Sequence, residues 1–266
     1  MQQIAPISTR RAARNGVSMR PAAAQSSIEW RRLRQDLRQA VADGGFALHC
    51  QPRRCLRSNH LLGTDTLLRW PCRGRGMVPA SVFMPLIEEL GLTSQILSWT
   101  LVAACRAVTG PADNGQPAGI VSVSVPAASV RDGSLLDILG RALAETGADR
   151  GKLEIAVPAC GLAGDCAATL LTLSALRDHG VSVALEDYGR TVACLVTLKH
   201  LPLTAVKLDR SLCRDMLCDQ AAGALVRATI DFAHALDIQA VAAGVETAAQ
   251  LAYLHRAGCD AVVERG

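Results

Sequence analysis

Apolar positions along the chain change their period several times, and those changes divide it into elements. From Trp30 through Leu33 and Leu37 to Val41, every third or fourth residue is apolar. That spacing predicts a helix, capped by Ser26 or Ser27 and ended by Gly44-Gly45. Phe46 to Gln51 alternates instead, as a strand does. A second strand is expected over about His60 to Trp70, pairing with the first as a hairpin around a basic turn, Arg53–Asn59. Helical spacing returns after Pro79, with Val82, Leu86 and Leu90, and again over about Ser94–Val108, with Ile96, Leu97, Leu101 and Cys105.

Beyond the turn formers of Pro111–Pro117 the alternation becomes regular. Strands are expected at Gly119–Val125, Lys152–Val157, Val181–Leu185, Thr204–Leu208 and Ile238–Ala242, with a last fragment at Ala261–Val263. Helices are expected between them at Leu135–Glu145, Ala167–Asp178, Val192–His200, Ala221–Leu236 and Ala248–Ala257. Strands separated by helices of this length imply βα units and a mainly parallel sheet. This many units favours an α/β barrel of the (β/α)8, TIM-like kind, with its ligand site at the C-terminal strand ends. Met1–Gln25, rich in Ala, Arg and Ser, has no period and reads as a disordered basic leader, which leaves 26–266 as the barrel domain.

Composition narrows the class. The 266 residues are 50% hydrophobic and 20% charged, with a net charge of +4. Mean hydropathy is +0.21, yet no apolar run approaches the roughly 18 residues needed to span a bilayer. Arginines crowd the region before His60, where a solvated basic end stands against an anionic partner. Only 3% of residues are aromatic, too few for a stacking platform on single-stranded nucleic acid. The ten cysteines form no C-x-x-C pair and no ligand spacing with the six histidines, so a reduced, cytoplasmic protein is expected.

Chemistry concentrates at the expected strand ends: Asp65, Ser122 and Ser124, Glu186-Asp187, Lys207 and Asp209, and Glu246. Charge at the tip of an apolar strand is costly unless it binds something. An internal Asp187–Lys207 ion pair filling the barrel mouth and a residual metal site are the two readings of that crowding.

The stretches around these positions resemble the EAL domain family, which hydrolyses cyclic di-GMP to linear pGpG. They are LHCQP (48–52), TDTLLRW (64–70), VPASVFMPLIEELGL (78–92), VSVS (121–124), LEDYG (185–189), LPLTAVKLDRS (202–211), AAGVET (242–247) and GCD (258–260). The resemblance implies a modified barrel with an antiparallel first strand, here short of the final helix. It also implies two Mg²⁺ or Mn²⁺ ions in active members, held by oxygen ligands that activate water for in-line attack.

Carried over residue by residue, the family's metal positions fall on Asp65, Ser122, Ala156, Glu186 and Asp187. Ala156 has no oxygen, Asp65 is shorter than the family's Glu by about 1.5 Å, and Ser122 replaces an Asn. A second Glu of the family falls on Ala159. Glu154 shares a strand face with Ala156 and is the candidate to compensate. The catalytic positions Lys207 and Glu246 are retained, but the general-base position is Ala243. Ligand-binding positions are Gln51, Leu67, Arg69 and Asp209, with Pro52 and Leu68 also matching, while the family's guanine-contacting Gln is Val263. Arg69 is read either as a phosphate partner or as the holder of a carboxylate inside the barrel. Arg190 occupies the loop that in the family joins metal and dimer interface.

An expectation follows: a degenerate EAL-like protein without cofactor, regulating through an unidentified protein partner. A non-hydrolysing cyclic di-GMP receptor is the alternative, as is a residual phosphodiesterase needing Mg²⁺ or Mn²⁺. A homodimer is compatible with the family.

Overall fold

The structure, a computed structural model, describes residues 28–109, 119–162, 166–189 and 198–264. The leader, Pro111–Pro117, Arg190 and residues 192–197 of the expected helix Val192–His200 therefore lie outside the described residues. Helix α1 (Ile28–Asp43) is followed by strands β1 (Ala47–Cys55), β2 (Leu61–Cys72) and β3 (Gly76–Val78). Helices α2 (Ala80–Glu89) and α3 (Thr93–Thr109) lead to β4 (Ile120–Ser124). Then come α4 (Ala127–Arg131), α5 (Ser134–Thr146), β5 (Leu153–Pro158), α6 (Cys166–Asp178) and β6 (Ser182–Tyr188). The remainder is β7 (Ala205–Leu208), α7 (Arg210–Asp215), α8 (Gln220–Ala235), β8 (Gln239–Ala243), α9 (Ala248–Arg256) and β9 (Ala261–Val263).

The strands close on themselves. Their order is β1-β9-β8-β7-β6-β5-β4-β2-β3, and β1 also pairs with β2, which shuts the ring and leaves β3 outside it. β1 runs antiparallel to both neighbours, whereas β2, β4, β5, β6, β7, β8 and β9 follow one another in parallel. This is the expected modified barrel. The sequence reading missed β3, α4 and α7, three short elements with too few residues to show a period.

One expected turn is strand instead. β1 continues through Arg53 to Cys55, so the hairpin turns after Cys55, with Asn59 at φ +58°. Strand pairing with β9 extends β1 here: Arg53 lies opposite Val263, and Cys55 opposite Ala261.

Three apolar cores follow from the layering. The largest lies between the outer face of the barrel and its helices, and includes Leu101, Val123, Leu135, Ile155, Leu173, Val183, Leu198, Val226 and Ile230. A second joins α1, α2 and α3 to the end of β2 through Leu33, Leu37, Trp70, Phe83 and Ile87. Phe46 packs there against Trp70, Phe83 and Trp99 at centroid separations of 6.5, 5.9 and 5.8 Å. The third lies within the ring and is built of small side chains: Ala156, Ala184, Ala205, Val241, Ala261 and Val263. Alanines there leave interior volume for longer chains from β1, β5 and β7.

Strands β2 and β4 come unusually close where they begin to pair. A Cβ on Gly63 would lie 2.1 Å from the Ile120 carbonyl oxygen, and one on Gly119, at φ +93°, 2.0 Å from that of Leu62. Only glycine fits on either side.

Candidate functional site at the barrel mouth

The register brings oxygen donors side by side on four strands. Gln51 pairs with Asp65, Asp65 with Ser122, and Ser122 with Glu154. Side chains at paired positions share a face, so these four form one rung of the barrel lining. Lys207 of β7 reaches across to it. Its ammonium donates to Asp65 Oδ2 and, at 2.6 Å, to Ser122 Oγ, and lies 3.2 Å from Glu154 Oε1.

Arg53 completes the group from β1. Its guanidinium donates from Nε and Nη2 to Asp65 Oδ1 at 2.8 and 2.6 Å. It also grips both oxygens of Glu154, Nη2 to Oε1 at 2.6 Å and Nη1 to Oε2 at 3.1 Å. Bidentate pairing of this kind is the strongest geometry a guanidinium offers. The result is a ring of alternating charge, Arg53–Asp65–Lys207–Glu154, in which both oxygens of each carboxylate are engaged. Arg53, Lys207 and Glu154 are almost wholly buried, and Asp65 is 14% exposed at its side chain.

Electrostatics follow from that burial. Desolvation alone would raise the Glu154 carboxyl, but Lys207 and the hydrogen-bonded Arg53 override it and hold Glu154 well below the usual carboxylate range. Burial opposes the charge on Arg53, yet Glu154 and Asp65 leave its guanidinium still harder to deprotonate than usual.

Glu186, one layer nearer the mouth, behaves oppositely. Although Glu186 is only part-buried, desolvation by the barrel wall pushes its carboxyl up to about 7, against the pull of Lys207 and of Ser124, whose hydroxyl donates to Glu186 Oε2 at 2.7 Å. Asp187 follows it with a left-handed backbone, φ +56°, exposed at the rim of the mouth. Asp209 caps α7, accepting from Ser211 N at 2.7 Å and from the Ser211 hydroxyl.

These groups surround an open cavity of about 480 Å³, lined among others by Gln51, Leu67, Arg69, Ala243, Glu246 and Val263. The structure thus gathers Gln51, Asp65, Leu67, Arg69, Ser122, Glu186, Asp187, Lys207, Asp209, Ala243 and Glu246 around one mouth. Ala156, level with Ser124, is fully buried in the small-residue core of the ring. Ala159 is not in the ring at all; it packs in the outer core against the helices.

Several readings of individual residues change. Lys207 pairs with Asp65 and Glu154, not with Asp187. The residue that holds carboxylates inside the barrel is Arg53, while Arg69 donates to the backbone oxygen of Leu68 at 3.2 Å. Glu154, two positions before Ala156, stands level with Ser122 and Asp65, whereas Ala156 stands level with Ser124. Arg53 was missed because it sits in a run of arginines and was read as turn; its alternation with Gln51 along β1 was the signal available.

A divalent cation does not fit this arrangement well. It would have to displace both Arg53 and Lys207 from Asp65 and Glu154. Among the described residues, no group of three or more His, Cys, Asp or Glu is arranged to hold a metal ion.

Comparison with known proteins agrees with the fold. The profile of the EAL domain matches residues 34–263, and the chain belongs to that family. It is 32% identical over 230 residues to the bifunctional diguanylate cyclase/cyclic di-GMP phosphodiesterase MucR of Pseudomonas aeruginosa, covering 86% of this chain and 34% of that one. It is 33% identical over 230 residues to the cyclic di-GMP phosphodiesterase NbdA of the same organism, covering 86% and 29%. The chain thus spans about a third of the length of the curated relatives it matches. Among solved structures, the P. aeruginosa MucR phosphodiesterase in complex with c-di-GMP superposes with a TM-score of 0.81 at 31% identity, covering 88% of this chain and 94% of that one. The c-di-GMP-bound FimX EAL domain, at 23% identity, a TM-score of 0.77 and coverage of 86% and 92%, shares the fold. No described helix is long and apolar enough to cross a membrane.

Proposed function

We propose that this EAL domain works in cyclic di-GMP signalling without hydrolysing the messenger, as a regulator that acts by contact with a protein partner. The observation that carries this reading is Ala243. It lines the mouth with Lys207 and Glu246, at the position where the family places its general base, and a methyl group takes no proton. The engaged oxygens of Asp65 and Glu154 support it further, since a carboxylate bonded to arginine and lysine is a poor metal ligand. Losses of this kind at a reacting centre cost orders of magnitude in rate.

A second reading, receptor for cyclic di-GMP, is favoured by the open cavity itself and by Gln51, Leu67 and Arg69 on its wall. The purified protein decides between them. Calorimetry with cyclic di-GMP, with and without Mn²⁺, should give no heat for a regulator that uses only protein contacts. Saturable heat without pGpG would select the receptor. Appreciable pGpG in a chromatographic product assay would overturn both.

A further inference from the structure

We infer that Arg53 is a resident cation: with Lys207 it supplies, from the chain itself, the two positive charges that a divalent ion would bring to Asp65 and Glu154. The inference deepens the reading above and rests on it for the identity of the site. Three observations carry it. The guanidinium is inside the barrel, 3% exposed, although an arginine buried to this degree is rare unless it is paired. It bonds both carboxylates at once, at 2.6 Å each from the shared Nη2. And strand alternation sends the next arginine the other way: Arg54, beyond a register shift in the β1–β2 pairing, lies 3.0 Å from Glu264 at the surface.

Charge balance sets the sign of the effect. Two cations face two carboxylates, so the ring is neutral and offers no net attraction to a metal ion. Remove the guanidinium and one negative charge is left over, with Asp65, Glu154 and the Ser122 hydroxyl as oxygen donors on three neighbouring strands. Hard divalent ions select such donors. The site in its native form is set when the chain folds, whatever the supply of metal.

The test uses Mn²⁺ as the probe, read by electron paramagnetic resonance of the free ion and by thermal shift. The native chain is expected to bind no Mn²⁺ at Asp65 and to keep its Tm in millimolar Mn²⁺ or in chelator. Arg53→Met, close in length and without charge, is expected to gain one saturable site per chain at least tenfold tighter than any in the native protein. Adding Asp65→Asn to it should weaken that site at least tenfold. Native binding that Asp65→Asn weakens would overturn the inference, and so would a folded Arg53→Met that gains nothing. If Arg53→Met does not fold, the native and Asp65→Asn arms decide by themselves. Mn²⁺ binding at Asp65 without pGpG would sink this inference and leave the proposed function standing; pGpG production would sink the proposed function.

Discussion

Replacing Glu154 by Gln tests whether the charged ring holds the barrel together. The substitution keeps the shape of the side chain and removes its charge, leaving Arg53 and Lys207 to share Asp65. Breaking a buried ion pair by neutralising one member costs about 3–5 kcal/mol, because the partner is left buried and uncompensated. Gln still offers one acceptor, so the lower end applies, about 3 kcal/mol. For a domain of this size that is a fall in Tm of about 6 °C. An exposed pair supplies the control. Arg34 and Glu89 lie 2.6 Å apart at 24% and 47% side-chain exposure, and Glu89→Gln should cost less than about 1 kcal/mol.

The pH dependence gives the same prediction a second readout. The folded pKa of Glu154 is depressed from its ordinary 4.5, so its contribution is fully present above that value and is lost as pH falls further. The gap between native and Glu154→Gln chains, followed by urea denaturation, should therefore be constant at neutral pH and narrow below about 4.5. A Glu154→Gln chain as stable as the native one at pH 7 would refute the ring as an energetic unit. So would a gap that widens in acid.

Glu186 should show the opposite sign. Its folded pKa is raised to about 7, so the stability linked to its proton is present below about 4.5 and lost as pH rises through 7; Glu186→Gln should remove that slope and raise Tm at pH 8. Restoring a carboxylate with Ala243→Glu should yield no pGpG, because Asp65 and Glu154 stay bonded to Arg53 and Lys207; product from that single variant would show that the ring opens readily. Gly63→Ala drives a methyl to 2.1 Å from the Ile120 carbonyl oxygen, and should cost at least about 3 kcal/mol in chemical denaturation. Thr247 caps α9 through a reciprocal bond pair with Gln250, and Thr247→Ala should cost about 1 kcal/mol by the same measurement.

Most of the barrel was legible in the sequence, because apolar period and strand-helix alternation are local. Val181–Leu185 and Thr204–Leu208 were placed within a few residues of β6 and β7, and the charges at their tips do line the mouth. What could not be read was pairing across the ring. Arg53 looked like one more arginine in a basic stretch, since only contact with β9 and with Glu154, far along the chain, makes it interior. One of two readings pairs Lys207 with Asp187, on the strand before it, whereas its partners come from β2 and β5. Asp209 lines the mouth, and its bonds to Ser211 add a capping role visible only once α7 is seen. Gly63 and Gly119 carried no period to betray them; their contact depends on how two strands cross.

The bonding of β1 to both β2 and β9 also orders the assembly of the fold. Its pairing with β2 is a hairpin, available early, and within it Arg53 already faces Asp65. Its pairing with β9 joins residues as distant as Arg53 and Val263, the kind of remote contact that forms late and slowly. Until the intervening strands arrive, the guanidinium can hold one carboxylate and leaves its remaining donors to water. Closure by β9 and the pairing of Arg53 with Glu154 of β5 thus depend on different strands, and burial of the guanidinium requires both.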